Sequence, residues 1–279
     1  MKPWMILTAI GLLLVVTTIV FRASAPLTRI EAQRLPVPVD GKLVPVIVEL
    51  FTSEGCSSCP PADEALARLE KTQPVPGAEI IVLSEHVDYW NYIGWADPFS
   101  SADFSARQNE YAQAFGKDGV YTPQMVVDGQ AEFIGSDFGQ ARSAIAKALQ
   151  SPKAKITVTR AQQAAGAKSG AVSFSARVVD IPSVSAGETI EVVLAVTESD
   201  LRSNVLRGEN SGRKLNHTAV VRQLSVIRRA TEQPTEALTA EFTINLERGW
   251  RRENLRVVVF AQERTSRRVL GAVTVKLEE

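Results

Sequence analysis

The sequence predicts an α/β domain followed by an all-β, sandwich-like domain. A strand, a helix and a second strand fit into fewer than 45 residues after residue 44, an order typical of a parallel βαβ unit. From residue 155 onward, alternating β-rich segments recur between turns that contain Gly, Ser and Asn. The balance of acidic and basic residues also changes between these two parts of the chain. Residues 44–150 carry 6 basic and 15 acidic side chains, whereas residues 151–279 carry 20 and 14, so the zero net charge of the chain conceals two halves of opposite sign.

The first 25 residues are typical of an export signal. Lys2 precedes the uncharged, mostly apolar residues 3–21, and Ala23-Ser24-Ala25 fits cleavage after Ala25. The apolar stretch is close to the length that spans a bilayer, so an uncleaved anchor formed by residues 3–21 is the alternative. Both interpretations export the rest of the chain, to the periplasm or beyond, either soluble or held at the membrane.

The first domain is predicted to span residues 44–152, after a proline-containing linker at 26–43. Apolar periodicity and turn residues define its elements. They are strands Val46–Phe51 and Glu79–Ser84 around helix Pro61–Lys71, helix Ser101–Phe115, strands Gln124–Val127 and Ala131–Ile134, and helix Asp137–Gln150. Asp128-Gly129 between the last two strands predicts a type I′ hairpin. An insertion at about 86–120 is aromatic-rich, since half of the chain's 18 aromatic residues lie within residues 89–121.

The second domain is predicted to span residues 153–279 as a β-sandwich. Its strands are expected at Ile156–Arg160, Val172–Val179, Thr189–Thr197, Thr218–Ile227, Ala237–Leu246, Leu255–Gln262 and Val269–Leu277. The polar, basic segment Arg202–His217 between two of them is predicted to be a solvated loop, with a partner-binding face as the alternative. No Gly-rich phosphate loop follows a strand and the basic residues are dispersed, so neither a nucleotide nor a nucleic acid is expected as a partner.

The chain has two cysteines, Cys56 and Cys59, separated by two serines. In an oxidising compartment they are expected to pair. A disulfide across so short a loop constrains the unfolded chain by only roughly 2 kcal/mol, against about 4.7 kcal/mol for a 100-residue loop. The spacing instead suits a bond that opens and closes, because the second thiol stays within reach of a mixed disulfide on the first. An inert disulfide and half of a metal site are the alternatives.

The first domain resembles the thioredoxin superfamily. The Cys-x-x-Cys motif lies between a strand and a helix, and Tyr121-Thr122-Pro123 leads into the Asp-Gly hairpin and a final helix. The segments Val48–Cys56, His86–Trp90 and Tyr121–Gln124 are also similar to one exported bacterial thioredoxin-like family, catalogued as a domain of unknown function. This resemblance implies a thioredoxin-like fold and redox chemistry, and it does not imply a particular substrate.

The resemblance also assigns roles to single residues. Cys56 would be the attacking thiol, because N–H groups at the helix start favour its thiolate, and Cys59 would resolve the mixed disulfide. Pro123 matches a position that is cis in the family, with Thr122 facing the substrate. Glu49 roughly matches a buried acid that takes a proton from the resolving thiol, with a solvent-facing glutamate as the alternative.

The aromatic insertion and its histidine admit two interpretations each. Trp90 and Trp95 are predicted to form a docking wall for substrate beside Cys56, unless the insertion is only a satellite core. His86, together with Cys56 and Cys59, could ligate copper, but a hydrogen-bonded structural histidine is the simpler interpretation.

These observations lead to three functional hypotheses. The first is an exported thiol–disulfide oxidoreductase, reducing or isomerising in direction, that needs no cofactor besides its redox-active disulfide. Its partners would be a thiol- or disulfide-bearing protein or small-thiol substrate and an unknown redox partner. The second is a copper-binding chaperone that uses Cys56, Cys59 and His86, and the third is a non-catalytic interaction protein.

Overall fold

The computed structural model describes residues 42–161, 170–231, 234 and 236–277. The predicted leader at 1–25 and most of the predicted linker lie outside the described residues. None of the helices in the described ranges has the length and apolar content needed to cross a bilayer.

The N-terminal half forms the elements expected of it, with small shifts at their ends. They are β1 (Val44–Thr52), α1 (Pro60–Thr72), β2 (Ala78–His86), α2 (Ala102–Ala114), β3 (Gln124–Val127), β4 (Ala131–Ile134) and α3 (Phe138–Ala148). β1 and β2 are parallel and β3 runs antiparallel to β1. Asp128 and Gly129 have φ values of 50° and 65°, which confirms the predicted type I′ turn between β3 and β4.

The C-terminal half contains the seven predicted strands and two more. The strands are β5 (Lys155–Arg160), β6 (Ala171–Val179), β7 (Ile190–Glu198), β8 (Leu201–Asn204), β9 (Lys214–His217), β10 (Val220–Ala230), β11 (Leu238–Asn245), β12 (Leu255–Glu263) and β13 (Val269–Lys276). The two unexpected strands, β8 and β9, pair with each other as a hairpin. The prediction of a solvated loop over Arg202–His217 is therefore wrong.

The predicted fold class, a thioredoxin-like α/β domain followed by a separate all-β sandwich, is also wrong. The described chain is mostly β, with three α-helices, and one mixed sheet of eight strands runs through both halves in the order β13-β12-β7-β10-β2-β1-β3-β4. The junction is a single parallel register position, Val220 opposite Ser84, where the Ser84 N–H donates to the Ala219 carbonyl at 2.9 Å. Apolar alternation predicts that a segment is a strand but not which strand it pairs with, so this join could not be read from the sequence. The predicted boundary at 152/153 falls between α3 and β5.

Three layers position the site. α1 and α3 pack on one face of β1 and β2, where Ala62, Leu66 and Ile145 join a core with Val48 and Leu50. α2 lies on the opposite face. In the C-terminal half, a second sheet of order β11-β6-β5 encloses a separate core against β7 and β12.

Charged contacts also join the two halves. Lys153 Nζ lies 2.5 Å from Asp128 Oδ2, and Arg267 lies 2.9 Å from Glu110. Basic groups of the second half thus meet acidic groups of the first, in keeping with the opposite charges that the sequence distributes between them.

Candidate functional site

Cys56 and Cys59 form a disulfide at the start of α1. Cys59 occupies the N-cap position and Pro60 opens the helix, which is a favourable first position for proline because its missing N–H would find no partner there. Both cysteines are fully buried, whereas Ser57 and Ser58 between them are exposed. The sulfur atoms therefore lie beneath the surface, although the loop that joins them is open to solvent.

Trp90 connects the segment before Cys56 to the segment before Pro123. Its indole Nε1 donates to Thr122 Oγ1 at 2.7 Å. A β-carbon placed on Gly55 would lie 3.1 Å from the Trp90 Cβ. The Thr122–Pro123 bond is cis, as the resemblance implied. The structure thus brings together three of the residues that the sequence predicted for the site.

Pro123 lies beside the first turn of α1. Its carbonyl accepts a hydrogen bond from the Gly135 N–H at 2.9 Å. A β-carbon on Gly135 would meet the Cβ atoms of both Ala62 and Pro123, at 3.1 Å and 3.2 Å. Ala62 follows Cys59 by three residues, so Pro123 and the disulfide share one end of the helix.

Trp95 is bound to Glu54, two residues before Cys56. Its Nε1 donates to Glu54 Oε2 at 2.7 Å, and Glu54 Oε1 lies 2.8 Å from His217 Nε2. The backbone of Gly208 lies against the Trp95 side chain. Trp95 therefore lies between Glu54 and the loop after β8, partly exposed to solvent.

His86 and His217 pack against each other edge to face near Glu54. Their ring centroids are 4.9 Å apart, and His86 Nδ1 lies 2.7 Å from Asp97 Oδ2. Burial disfavours the charged form of His86, but Asp97 raises the pKa of His86 above its ordinary value. Within the described residues, His86 Nε2 and His217 Nδ1 have no hydrogen-bond partner. No group of three or more His, Cys, Asp and Glu in those same ranges is arranged to hold a metal ion, so the copper interpretation stays a prediction.

The structure does not bring Glu49 to the disulfide. Val48 and Leu50 on β1 face α1, so Glu49 between them points to the opposite face. There its Oε2 lies 2.5 Å from Arg107 Nε, and Tyr111 donates to its other oxygen. Burial opposes its ionisation, but Arg107 and these hydrogen bonds hold the pKa of Glu49 below its ordinary value.

Asp63 is an acid near the disulfide to which the sequence assigns no role in proton transfer. Its N–H bonds to the Cys59 carbonyl at 3.1 Å, and Thr52 Oγ1 donates to its carboxylate at 2.8 Å. Burial of the carboxyl group raises the pKa of Asp63 to about 6, despite the opposing attraction of His217 and His86. Its spacing of four residues from Cys59 was the available signal, but an acid in the first turn of a helix is ordinarily explained by the helix dipole.

The site also contains residues from the C-terminal half. The β8–β9 loop, defined as residues 205–213, reaches the disulfide from more than 150 positions away. Asn210 Nδ2 donates to the carbonyls of Glu54 and Cys56 at 2.8 Å and 2.9 Å, and the Ser57 N–H donates to Glu209 Oε2 at 2.9 Å. No periodicity or motif in the sequence marks Glu209 or Asn210, so only the folded arrangement reveals them.

Comparison with known proteins identifies a family and two similar folds. Residues 47–262 match a family model described as "Protein of unknown function (DUF1223)". A crystal structure of a protein from Agrobacterium tumefaciens is 24% identical, with a TM-score of 0.60 over 84% of this chain and 95% of that chain. HBP35 of Porphyromonas gingivalis is 14% identical, also with a TM-score of 0.60, over 85% of this chain and 76% of that chain. No curated protein matches the chain. At these identities the two structures indicate a shared fold alone.

Proposed function

Since this chain belongs to the DUF1223 family, whose description assigns no activity, we propose a function from the site itself: an exported thiol–disulfide oxidoreductase that cycles Cys56 and Cys59 between disulfide and dithiol. The observation that carries the proposal is the disulfide at the start of α1, beside Trp90, Thr122 and Pro123. A bond that spans four residues contributes little stability, roughly 2 kcal/mol. A redox role explains its position better than a structural one.

The proposed cycle begins with the dithiol. The Cys56 thiolate attacks one sulfur of a substrate disulfide, forms a mixed disulfide and expels the other substrate sulfur as a thiolate. Cys59 then loses its proton and attacks the Cys56 sulfur, which re-forms the Cys56–Cys59 bond and releases the second substrate thiolate. Two electrons pass to the substrate, and an exported dithiol reductant restores the starting state.

Asp63 is the acid best placed to take the proton from Cys59. It follows Cys59 by one helical turn, and a carboxyl pKa near 6 lets it exchange a proton at neutral pH. The family resemblance implies this role for Glu49. That prediction has less support, because Glu49 lies on the other face of β1 and is held by Arg107.

The charges around the disulfide favour a reducing or isomerising direction. The Glu209 carboxylate accepts a hydrogen bond from the N–H of Ser57, the residue after Cys56. The Glu54 and Asp97 carboxylates are paired with His217 and His86, so neither imidazole is left to stabilise a thiolate. Nearby anions destabilise a thiolate, and a pair with a destabilised reduced form is a weak oxidant.

Export and a distant relationship to the thioredoxin superfamily belong to the same proposal. Export is supported by the charged and apolar leader at 1–25 and by the paired state of the two cysteines. The relationship is supported by a local feature, namely the Cys-x-x-Cys motif between β1 and α1. Its substrate would be a protein or small molecule with a thiol or disulfide.

Thiol trapping tests the proposal. The Cys59→Ser variant should accumulate mixed disulfides through Cys56, because the resolving thiol is gone, whereas the matched Cys56→Ser variant should capture none. In glutathione buffers the wild-type pair should titrate reversibly. Failure of both variants to trap a substrate, together with a pair that stays oxidised down to about −300 mV, would overturn the redox function. Tight binding of Cu(I) that His86→Ala abolishes would support the copper alternative instead.

A further inference from the structure

The β8–β9 loop is bonded to the backbone beside the disulfide through Asn210. This side chain is fully buried, and its amide group bridges two carbonyl oxygens on either side of Gly55, those of Glu54 and Cys56. Since both neighbours are acceptors, the NH2 group must face them. Within the described chain, its Oδ1 has no hydrogen-bond partner. Asn210 therefore fixes the backbone on both sides of Gly55, up to the carbonyl of Cys56.

The β8–β9 loop also places the carboxylate of Glu209 near the start of α1. Glu209 accepts a hydrogen bond from the Ser57 N–H, and this contact lowers the pKa of its carboxyl group. Backbone N–H groups at this end of the helix are the donors that would stabilise a Cys56 thiolate. Cys59, at the N-cap position, supplies no capping hydrogen bond from its own side chain. Glu209 thus places a carboxylate on the N–H of the residue after Cys56.

We propose that Glu209 and Asn210 are positioning residues of the redox site, contributed by the C-terminal half: Glu209 makes the reduced pair a stronger reductant, and Asn210 sets how readily a thiol reaches the disulfide. This inference rests on the proposed function. When the Cys56–Cys59 bond is reduced, two electrons and one or two protons enter the site, and the new Cys56 thiolate faces the Glu209 carboxylate. Their repulsion favours the disulfide over the thiolate form.

Access to the sulfurs follows from the same contacts. Both cysteines are fully buried, and attack on a disulfide needs an approach to sulfur. The hydrogen bonds of Asn210 hold the loop against that approach. Gly208 and Gly212, with φ values of 74° and 81°, adopt the backbone conformation that other residues rarely take. Within the β8–β9 loop, the segment that holds Glu209 and Asn210 is therefore flanked by two such glycines.

The first experiment compares Glu209→Gln with wild type in glutathione buffers. We expect the equilibrium between disulfide and dithiol to shift toward the dithiol by about two- to fivefold, the range typical of a charge at a helix end. At about 30 mV per tenfold change, this corresponds to a change in reduction potential of about 10 to 20 mV. The difference should shrink at 1 M salt. Glu241→Gln removes the same charge from an exposed position on β11 and should leave the equilibrium unchanged.

The second experiment measures the rate at which dithiothreitol reduces the disulfide. Asn210→Ala should react several-fold faster than wild type, whereas Asn109→Ala, a change at an exposed position on α2, should not. Asn210→Asp keeps the size of the side chain and removes the donor, so it tests the hydrogen bonds if the alanine variant does not fold. If wild type cycles but these variants keep its potential and rate, the inference is overturned and the redox function stands. A wild-type pair that never exchanges overturns both.

Discussion

The backbone of Gly129 lies directly against the carbonyl group of Arg267. A β-carbon on this glycine would fall 1.8 Å from the Arg267 oxygen, well inside any allowed contact. The hairpin turn between β3 and β4 therefore fits into the strand connection between β12 and β13. It does so only because the residue has no side chain, and its φ of 65° adds a second reason for glycine.

Gly129→Ala should accordingly be among the most destabilising single changes in the described chain. We expect the free energy of unfolding to fall by more than about 3 kcal/mol, since the backbones must separate. Gly116→Ala is the matched control, because Gly116 has a φ of 63° but nothing within 4 Å of the added carbon. It should lose only about 1–2 kcal/mol, the cost of the left-handed conformation. Equal losses in urea unfolding would show that the close approach to Arg267 does not matter.

Arg107 should be essential to the interface between the halves. It lies 2.5 Å from Glu49 and 3.4 Å from Glu85, and it also donates to Gln262 of the C-terminal half. Burial and the neighbouring Glu49 raise the pKa of Glu85 well above its ordinary value. Arg107→Gln should cost about 3–5 kcal/mol of unfolding free energy, because it leaves the buried Glu49 carboxylate uncompensated.

The control for Arg107 is a partly exposed ion pair of similar geometry. Lys117 lies 2.8 Å from Glu132 with half of its side chain exposed, and Lys117→Gln should cost only about 0–1 kcal/mol. Adding Glu49→Gln to Arg107→Gln should restore part of the loss, as a double-mutant cycle would measure. A cycle with no coupling would contradict the proposed pairing.

Asp63 should make the stability of the oxidised protein fall as the pH rises. Burial raises its pKa from 3.8 to about 6 in the folded state, so folding favours the protonated carboxyl. The resulting stability is fully present below pH 3.8 and is lost as the pH rises through 6. Asp63→Asn should therefore match wild type near pH 4 and exceed it by roughly 1–2 kcal/mol at pH 8, after allowance for solvent screening.

Chemical unfolding at both pH values checks this expectation. Glu64→Gln removes a carboxyl group from an exposed position of the same helix, and its effect should not grow between pH 4 and pH 8. If Asp63→Asn lowers stability at pH 8, the ionised carboxylate is stabilising rather than costly, and the expected pH dependence has the wrong sign.

Trp90→Phe should impair reaction with a peptide disulfide more than with a small one. The change removes the 2.7 Å hydrogen bond to Thr122, the predicted substrate-facing residue, while most of the ring packing beside Gly55 is retained. We expect several-fold slower reduction of a disulfide-linked peptide by the dithiol form and little change with glutathione disulfide. Tyr92→Phe, at an 84% exposed position, is the control. Equal slowing with both substrates would place the role of Trp90 at the sulfur rather than at the substrate.

The local elements could be predicted because each depends on its own residues. Apolar runs predict the strands, Asp128-Gly129 predicts a turn, and the spacing of the cysteines predicts the disulfide. The eight-stranded sheet could not be predicted in this way. Its halves join where Val220 lies opposite Ser84, and nothing in either strand specifies the other.

The residues of the candidate site also fall into a group that the sequence predicted and a group that it did not. The spacing and the family resemblance placed Cys56, Cys59, Trp90 and Pro123 together. Glu209, Asn210 and His217 come from a hairpin whose segment is polar and irregular in sequence, a pattern that predicts a solvated loop. A polar side chain buried by long-range contacts has the same sequence signature as one in water, and only the hydrogen bonds of the folded chain distinguish them.

The position of this hairpin in the chain has a consequence for biosynthesis. A protein grows from its N-terminus, and Asn210 is added 154 residues after Cys56. At ordinary synthesis rates this interval is on the order of ten seconds. During it, the two thiols exist without the residues that later cover them. If the β8–β9 loop slows access as proposed, the nascent chain exchanges with thiols faster than the finished protein, and completion of the C-terminal half brings the slower rate.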